Sequence, residues 1–372
     1  MALLWNFKGQ GEKFGVIAKT LISCWISGGL STSSTKSGFE PLQARTLLYS
    51  CVVKKSSGLQ HTLAAPVQLE GVGLHSGKPA RVRLFPAPAG HGIQFVRTDN
   101  IPAPVEIPAT YAHVVNTRLA TTLGNRGVTL STVEHLLAAL AGLGVDNARI
   151  EVDGPEMPIL DGSSAPFIQA IQQAGGIASQ ALQRVTLALR RKVEVQLGDK
   201  WAVAEPSSRL EIHGSIEWDH PLIGRQEYHY VDGVTPFAAI ADSRTFCQLK
   251  DVEAMQRMGL ALGGTLDNAV VLSEDGILNP GGLRHPDELV RHKVLDALGD
   301  FKLSGYAIQG YFRLHRSGHD VHSQLLKAIF AQPENYEIIG QSVGSASAGT
   351  QSVGSSAGRV GVGSTGRLAA AF

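Results

Sequence analysis

Cysteine is scarce in this 372-residue chain: only Cys24, Cys51 and Cys247 occur, and no two form a C-x-x-C pair. So sparse and odd a set argues against a disulfide framework. An excess of charge of either sign is missing too, since the net charge is +1, which removes the basic footprint of bulk nucleic-acid binding. No apolar run reaches the roughly 18 residues that a membrane-spanning helix needs. What remains, 43% hydrophobic and 17% charged, is the profile of a globular chain with core enough for two domains.

The two ends differ from the middle. In residues 1–59, Lys8, Lys13, Lys19, Lys36, Lys54, Lys55 and Arg45 face only Glu12 and Glu40, and Ser and Thr crowd "SGGLSTSSTKSG". Residues 3–22 can form a basic amphipathic helix, with Leu3, Leu4, Phe7, Phe14, Ile17 and Leu21 opposite the lysines. That composition reads as an organellar transit peptide, mitochondrial or alternatively plastid. At the other end, residues 340–372 repeat QSVGS and consist mostly of Gly, Ser and Ala. Such a segment buries too little apolar surface to offset chain entropy, so disorder is expected.

Residues 60–339 carry the fold. Strand-like runs ("ARVRLFPA", "NARIEVD", "KVEVQLGD", "LEIHGSIEW", "YAIQGYFRLHRSG") are punctuated by helical spacing at 131–143, 164–174, 248–258, 286–303 and 322–331. Runs of strands with single helices predict an α+β architecture rather than a regular βαβ winding. "ALQRVTLALRR" near 181–191 reads as the passage between halves at 60–183 and 184–339. The stretches 134–152 and 291–310 align His135 with His292, each followed by a β-rich run, which suggests an internal repeat.

The helix expected at 286–303 poses a chemical question. Its apolar residues recur at helical spacing, yet His292, Asp296 and Asp300 fall at i, i+4 and i+8, a polar ridge along one face. A catalytic zinc takes three nitrogen or oxygen ligands and leaves a position for water. His292 and Asp296 can converge on one ion, with His135 as a third ligand, and the adjacent Glu134 can accept a proton from water. Bland readings compete. An i, i+4 His/Asp pair is commonly a surface hydrogen bond, and Ser131-Thr132-Val133-Glu134 fits a capping box. In "LHRSGHDVH" a glycine places His319 at or near a strand end, suited to acid/base work, although His319 and His322 are a rival ligand pair. Thr245 could donate to an oxyanion, and Trp218 offers a flat face to a base or sugar.

Eight stretches together carry a resemblance: "GVGLHSG" (71–77), "STVEHLLAALAGLGVDN" (131–147), "GPEMPILDGSSAPF" (154–167), "DKWA" (199–202), "SRTF" (243–246), "ALGGTLDNAVV" (261–271), "DELVRHKVLDALGD" (287–300) and "SGH" (317–319). In this order they resemble the UDP-3-O-acyl-N-acetylglucosamine deacetylase family of lipid A biosynthesis. The resemblance implies a zinc amidase that removes acetate from the 2-acetamido group of a UDP-linked, 3-O-acylated glucosamine. It implies two similar layered sheet-and-helix domains, each with a small insert, with the site between them in a monomer.

By motif, the resemblance implies zinc on His135, His292 and Asp296, Glu134 as general base, and His319 as general acid partnered by Asp300. It further implies Thr245 at the oxyanion and Lys293, Lys200, Trp218, Phe246 and Leu119 at the substrate. Val252, Leu260, Ala261 and Ala269 of the second insert (248–275) would edge a passage for the acyl chain. Glu217-Trp218 and Ala120 depart from the bacterial pattern of Asp-Phe and Cys, respectively. A catalytically silent UDP-lipid binder is the alternative, but such a protein has no need for all seven catalytic and ligand residues.

Overall fold

The computed structural model describes residues 58–99, 102–220 and 223–340. Gly58, Leu59 and Gly340 excepted, the expected targeting segment and Gly/Ser-rich tail lie outside them.

The described residues form an α+β fold built twice on one plan. In the first half the strands lie in the order Val67–Val72, Pro79–Pro86, Ala148–Val152, Ile93–Arg97 and Val105–Pro108. The central strand, Ala148–Val152, runs antiparallel to Pro79–Pro86 and parallel to Ile93–Arg97. In the second half Val193–Leu197, Lys200–Glu205, Ala307–His315, Leu210–Trp218 and Gly224–Val231 repeat that order and sense. Thr186–Leu189 and Tyr336–Ile339 extend this second sheet. The repeat suggested by two short matching stretches is thus a repeat of topology.

The helices, in chain order, are α1 (Glu134–Leu143), α2 (Ala165–Gln173), α3 (Ala238–Ala241), α4 (Leu249–Arg257), α5 (Glu288–Lys302) and α6 (His319–Phe330). In each half the long helix, α1 or α5, feeds directly into the central strand. Helix α1 is buried over almost its whole length, because Leu136, Leu137, Ala138, Ala139 and Leu140 leave it no polar face. It stops at Gly144, which adopts φ 79° and whose N–H reaches back to Ala141 O, the left-handed ending that glycine makes without strain. Helix α5 packs on α1, and side chains of both, among them Leu140, Val294, Ala297 and Phe301, share one apolar core with the two sheets.

Five expected helices are present, and the differences are local. Helix α6 begins at His319, three residues before the expected start at 322. His319 is therefore a first-turn helical residue rather than a strand-end residue: the strand stops at His315, and Arg316–Gly318 make the bend. The short α3 had no periodicity long enough to reveal it. The passage expected at 181–191 is narrower. Strands Ile177–Gln183 and Thr186–Leu189 occupy most of it, leaving Arg184 and Val185 as the link.

Each half also carries a small three-stranded insert. The first is Val114–Asn116, Thr122–Asn125 and Val128–Leu130; the second is Phe246–Gln248, Val270–Ser273 and Gly276–Ile277, with α4 alongside.

Candidate active site

The start of α1 and the middle of α5 face each other, and the polar ridge of α5 points into that contact. His135 Nε2 and His292 Nε2 approach the same oxygen, Asp296 Oδ1, at 3.6 and 3.3 Å. The two imidazoles meet edge to face with centroids 5.1 Å apart. All three residues are buried, which removes the surface hydrogen-bond reading of the His/Asp pair. Asp296 Oδ1 has no protein hydrogen-bond donor despite its burial. A buried carboxylate oxygen left so, with two imidazole nitrogens converging on it, is a donor set that suits a divalent cation. His292 is prepared for it from behind, since its Nδ1 lies 3.0 Å from the Ser243 carbonyl, which leaves Nε2 with the lone pair.

The electrostatics agree. Burial pushes His292 down to about 3, so its imidazole is neutral at physiological pH, the form that can offer Nε2 to a cation. Burial would raise Asp296, but His292 and Lys293 outweigh it and hold the carboxyl well below its ordinary range.

Beside this donor set lie a buried carboxylate, Glu134, and a buried imidazole, His319. Glu134 does not cap its helix. Val133 has helical backbone angles, no side chain caps α1, and Glu134 Oε2 instead accepts the Thr121 N–H at 3.1 Å. The capping-box reading fails because the carboxylate is pulled inward. Burial raises the Glu134 pKa against the pull of His319 and His135, as suits a group that must accept a proton. His319 Nε2 lies 3.6 Å from Glu134 Oε1, and its Nδ1 is 2.7 Å from Asp300 Oδ2. Burial alone would lower His319, but Asp300 and Glu134 overcome it and raise the imidazole to about 10. Asp300 is held far below its usual range: burial works against this, but His319 and His322 prevail.

Asp300, His319 and His322 form a second buried cluster whose ligand atoms lie close enough for a cation. Its polar contacts are already made, by hydrogen bonds of 2.7 and 2.8 Å to Asp300, whereas Asp296 Oδ1 has none. The rival ligand pair His319/His322 is thus the weaker metal candidate.

Two buried imidazoles and a carboxylate beside a carboxylate–imidazolium pair suit metal-assisted hydrolysis. The chain matches the family model described as "LpxC: UDP-3-O-acyl N-acetylglycosamine deacetylase" over residues 60–331. A protein named UDP-3-O-acyl-N-acetylglucosamine deacetylase from Myxococcus xanthus is 49% identical over 288 residues, 77% of this chain and 91% of that protein. Proteins of the same name from Anaeromyxobacter dehalogenans and Shewanella baltica are 48% and 45% identical over 281 and 284 residues, 75% of this chain and 90% and 92% of those proteins. This chain belongs to that deacetylase family.

In this family member the remaining predicted residues lie at different removes from the His135–His292–Asp296 donor set. Lys293 Nζ bonds Asp296 Oδ2 at 2.9 Å and stands 5.4 Å above the Phe246 ring. Phe246 contacts Trp218 edge to face at 5.2 Å and His292 at 6.2 Å, so these aromatics form one wall beside the donor set. Thr245 lies two residues after Ser243, the residue that orients His292. Lys200 is further out, 3.8 Å from Asp320 Oδ2, next in sequence to His319. Leu119 is exposed, with φ 61°, a backbone region that leucine seldom adopts; the buried Ala120 and Thr121 follow it.

The inserts leave apolar side chains in solvent: Leu249, Met258, Leu262 and Leu266 are exposed, and α4 buries no residue. Of the residues expected to edge an acyl passage, Val252, Leu260 and Ala261 are half-buried, whereas Ala269 is buried. The second insert docks on the 73–77 loop through Leu262 N to His75 O and Gly263 N to Leu74 O.

Sequence reasoning missed Thr121, which binds both Glu134 and Asp300, its hydroxyl 2.6 Å from Asp300 Oδ1. It also gave no role to His75, half-buried and close enough to His319 for the two to repel when charged. His75 stands in a quoted motif and could have been found there, whereas no local pattern marks Thr121.

Proposed function

We propose that this protein is a zinc-dependent hydrolase that removes acetate from the 2-acetamido group of UDP-3-O-acyl-N-acetylglucosamine, a step in making a lipid A-type precursor. The observation that carries this reading is the juxtaposition of two sites. The His135–His292–Asp296 donor set lies beside Glu134 and His319, the latter two only 3.6 Å apart. Family membership supplies the substrate class.

His135, His292 and Asp296 would hold the zinc, which when bound polarises the acetyl carbonyl and acidifies water. Glu134 accepts one proton from the attacking water as the oxygen joins the carbonyl carbon. Thr245 donates to the oxygen that gains charge. As the carbon–nitrogen bond breaks, His319 gives its proton to the departing nitrogen, leaving acetate and the free amine. Asp300 keeps that imidazole protonated until then. The Lys293 ammonium meets the substrate phosphate, Trp218 and Phe246 stack on its uridine end, and Lys200 and Leu119 flank the sugar and acyl chain. The basic, Ser-rich stretch at 1–59 directs the chain to the mitochondrion, or alternatively to a plastid, and the enzyme works as a monomer.

The test is acetate release from UDP-3-O-acyl-N-acetylglucosamine by the full chain, with and without a chelator. Release that stops on chelation and returns with zinc supports reaction, substrate and metal together. A folded, zinc-loaded protein that releases none refutes the reading. Fusing residues 1–59 to a fluorescent protein tests the address, and cytosolic signal counts against it.

A further inference from the structure

His322 has no role in the chemistry above. It is fully buried on α6, one turn after His319. Its Nδ1 lies 2.8 Å from Asp300 Oδ2, the same oxygen that His319 Nδ1 meets at 2.7 Å. With Asp300 ionised, both nitrogens donate to it. The far side of His322 is also tied, with Nε2 3.0 Å from the Ser317 hydroxyl. The other carboxylate oxygen, Oδ1, accepts the Thr121 hydroxyl at 2.6 Å. Asp300 is therefore gripped by three donors, on α6 and on the insert strand region, while itself anchored on α5.

That grip restricts one particular freedom. A carboxylate turns easily about its last torsion, a broad and nearly two-fold rotation. Bound by His319 alone, Asp300 could swing and trade oxygens, and the imidazole would follow. A hydroxyl on Oδ1 and a second imidazole on Oδ2 remove that swing. The Phe301 ring, 5.5 Å from the His322 ring, limits movement of the imidazole itself. Burial requires partners for both His322 ring nitrogens, and one of the two chosen is the carboxylate behind the proton donor.

We propose that His322 is a positioning residue for the proton donor: it holds Asp300 Oδ2 against His319 Nδ1, and thereby keeps His319 Nε2 aimed at the departing nitrogen. This inference rests on the deacetylase reading.

The test compares two substitutions in the full zinc-loaded protein. His322→Asn keeps an amide donor near the place of Nδ1, and His322→Leu keeps comparable bulk without one. The leucine variant should lose kcat roughly tenfold or more, as is usual when a supporting hydrogen bond is removed from a catalytic site, with KM changed by less than about twofold and zinc content unchanged. The asparagine variant should recover most of the loss. Independently of turnover, the downfield Nδ1–H proton of His319 in nitrogen-15 histidine spectra should persist in wild type and the asparagine variant and vanish from the leucine variant.

Wild-type kcat in a folded leucine variant overturns the proposal, as does an asparagine variant as slow as the leucine one. Should leucine prevent folding, His322→Gln replaces it. Its donor sits one bond further out, and wild-type turnover there also overturns the proposal. If the wild type itself releases no acetate, the deacetylase reading fails, whereas the His319 proton still reports whether His322 holds Asp300.

Discussion

Gly299 lies directly against the backbone of Glu134: a Cβ at residue 299 would stand 2.1 Å from the Glu134 carbonyl oxygen. The contact belongs to the crossing of α1 and α5, the long helices of the two repeats. It sets the spacing between the helix that carries Glu134 and His135 and the one that carries His292, Asp296 and Asp300.

Replacing Gly299 by alanine should force these helices apart. The neighbouring atoms are backbone and cannot turn aside, so the cost is that of an overpacked core, about 1–3 kcal/mol. Thermal unfolding should show the loss, and the variant should retain less zinc because His135 moves away from His292. A variant of wild-type stability and zinc content would show that the crossing relaxes freely.

Glu134→Gln preserves the shape of the carboxylate and removes its basicity. Turnover should fall by about 10²–10⁴, the usual worth of a positioned acid or base, with zinc still bound. His319→Gln should behave similarly. Metal analysis beside kinetics separates lost chemistry from a lost ion, and full activity in either variant would remove that assignment.

The two buried histidines predict opposite pH dependences of stability in the metal-free protein. His292 is held down to about 3 when folded, against 6.5 in an ordinary setting. The unfolded chain therefore takes up a proton that the fold refuses, and stability present above pH 6.5 is lost progressively as pH falls toward 3. His319 is raised to about 10, so its contribution is complete below pH 6.5 and is lost as pH rises through about 10. Unfolding midpoints across pH should peak between these limits. His319→Gln should flatten the alkaline side alone, and an unchanged alkaline decline would disprove the cause.

Trp218→Ala should raise KM by about two- to tenfold, the scale of a lost aromatic contact of roughly 0.5–1.5 kcal/mol, with kcat little changed. Trp218 touches Phe246, which in turn touches His292. A fall in kcat with constant KM would instead place Trp218 nearer the reacting group.

The sequence alone determined what is local. The five longer helices, the strand-rich character, the i, i+4, i+8 ridge of α5 and the motif order are all written in neighbouring residues, where periodicity and spacing act. Helix α6 starts three residues before its periodicity indicates, because the bend at Arg316–Gly318 looks the same whether it ends a strand or opens a helix. Only tertiary structure decided what that ridge meets. Thr121 and Asp300 are separated by 179 residues, yet their oxygens lie 2.6 Å apart. The same folding turned Glu134 from a cap at its own helix end into an acceptor for the Thr121 N–H. The physical reason is common to both: burial between the two halves withdraws water from Thr121, Glu134 and Asp300, and these groups find partners across the chain rather than along it.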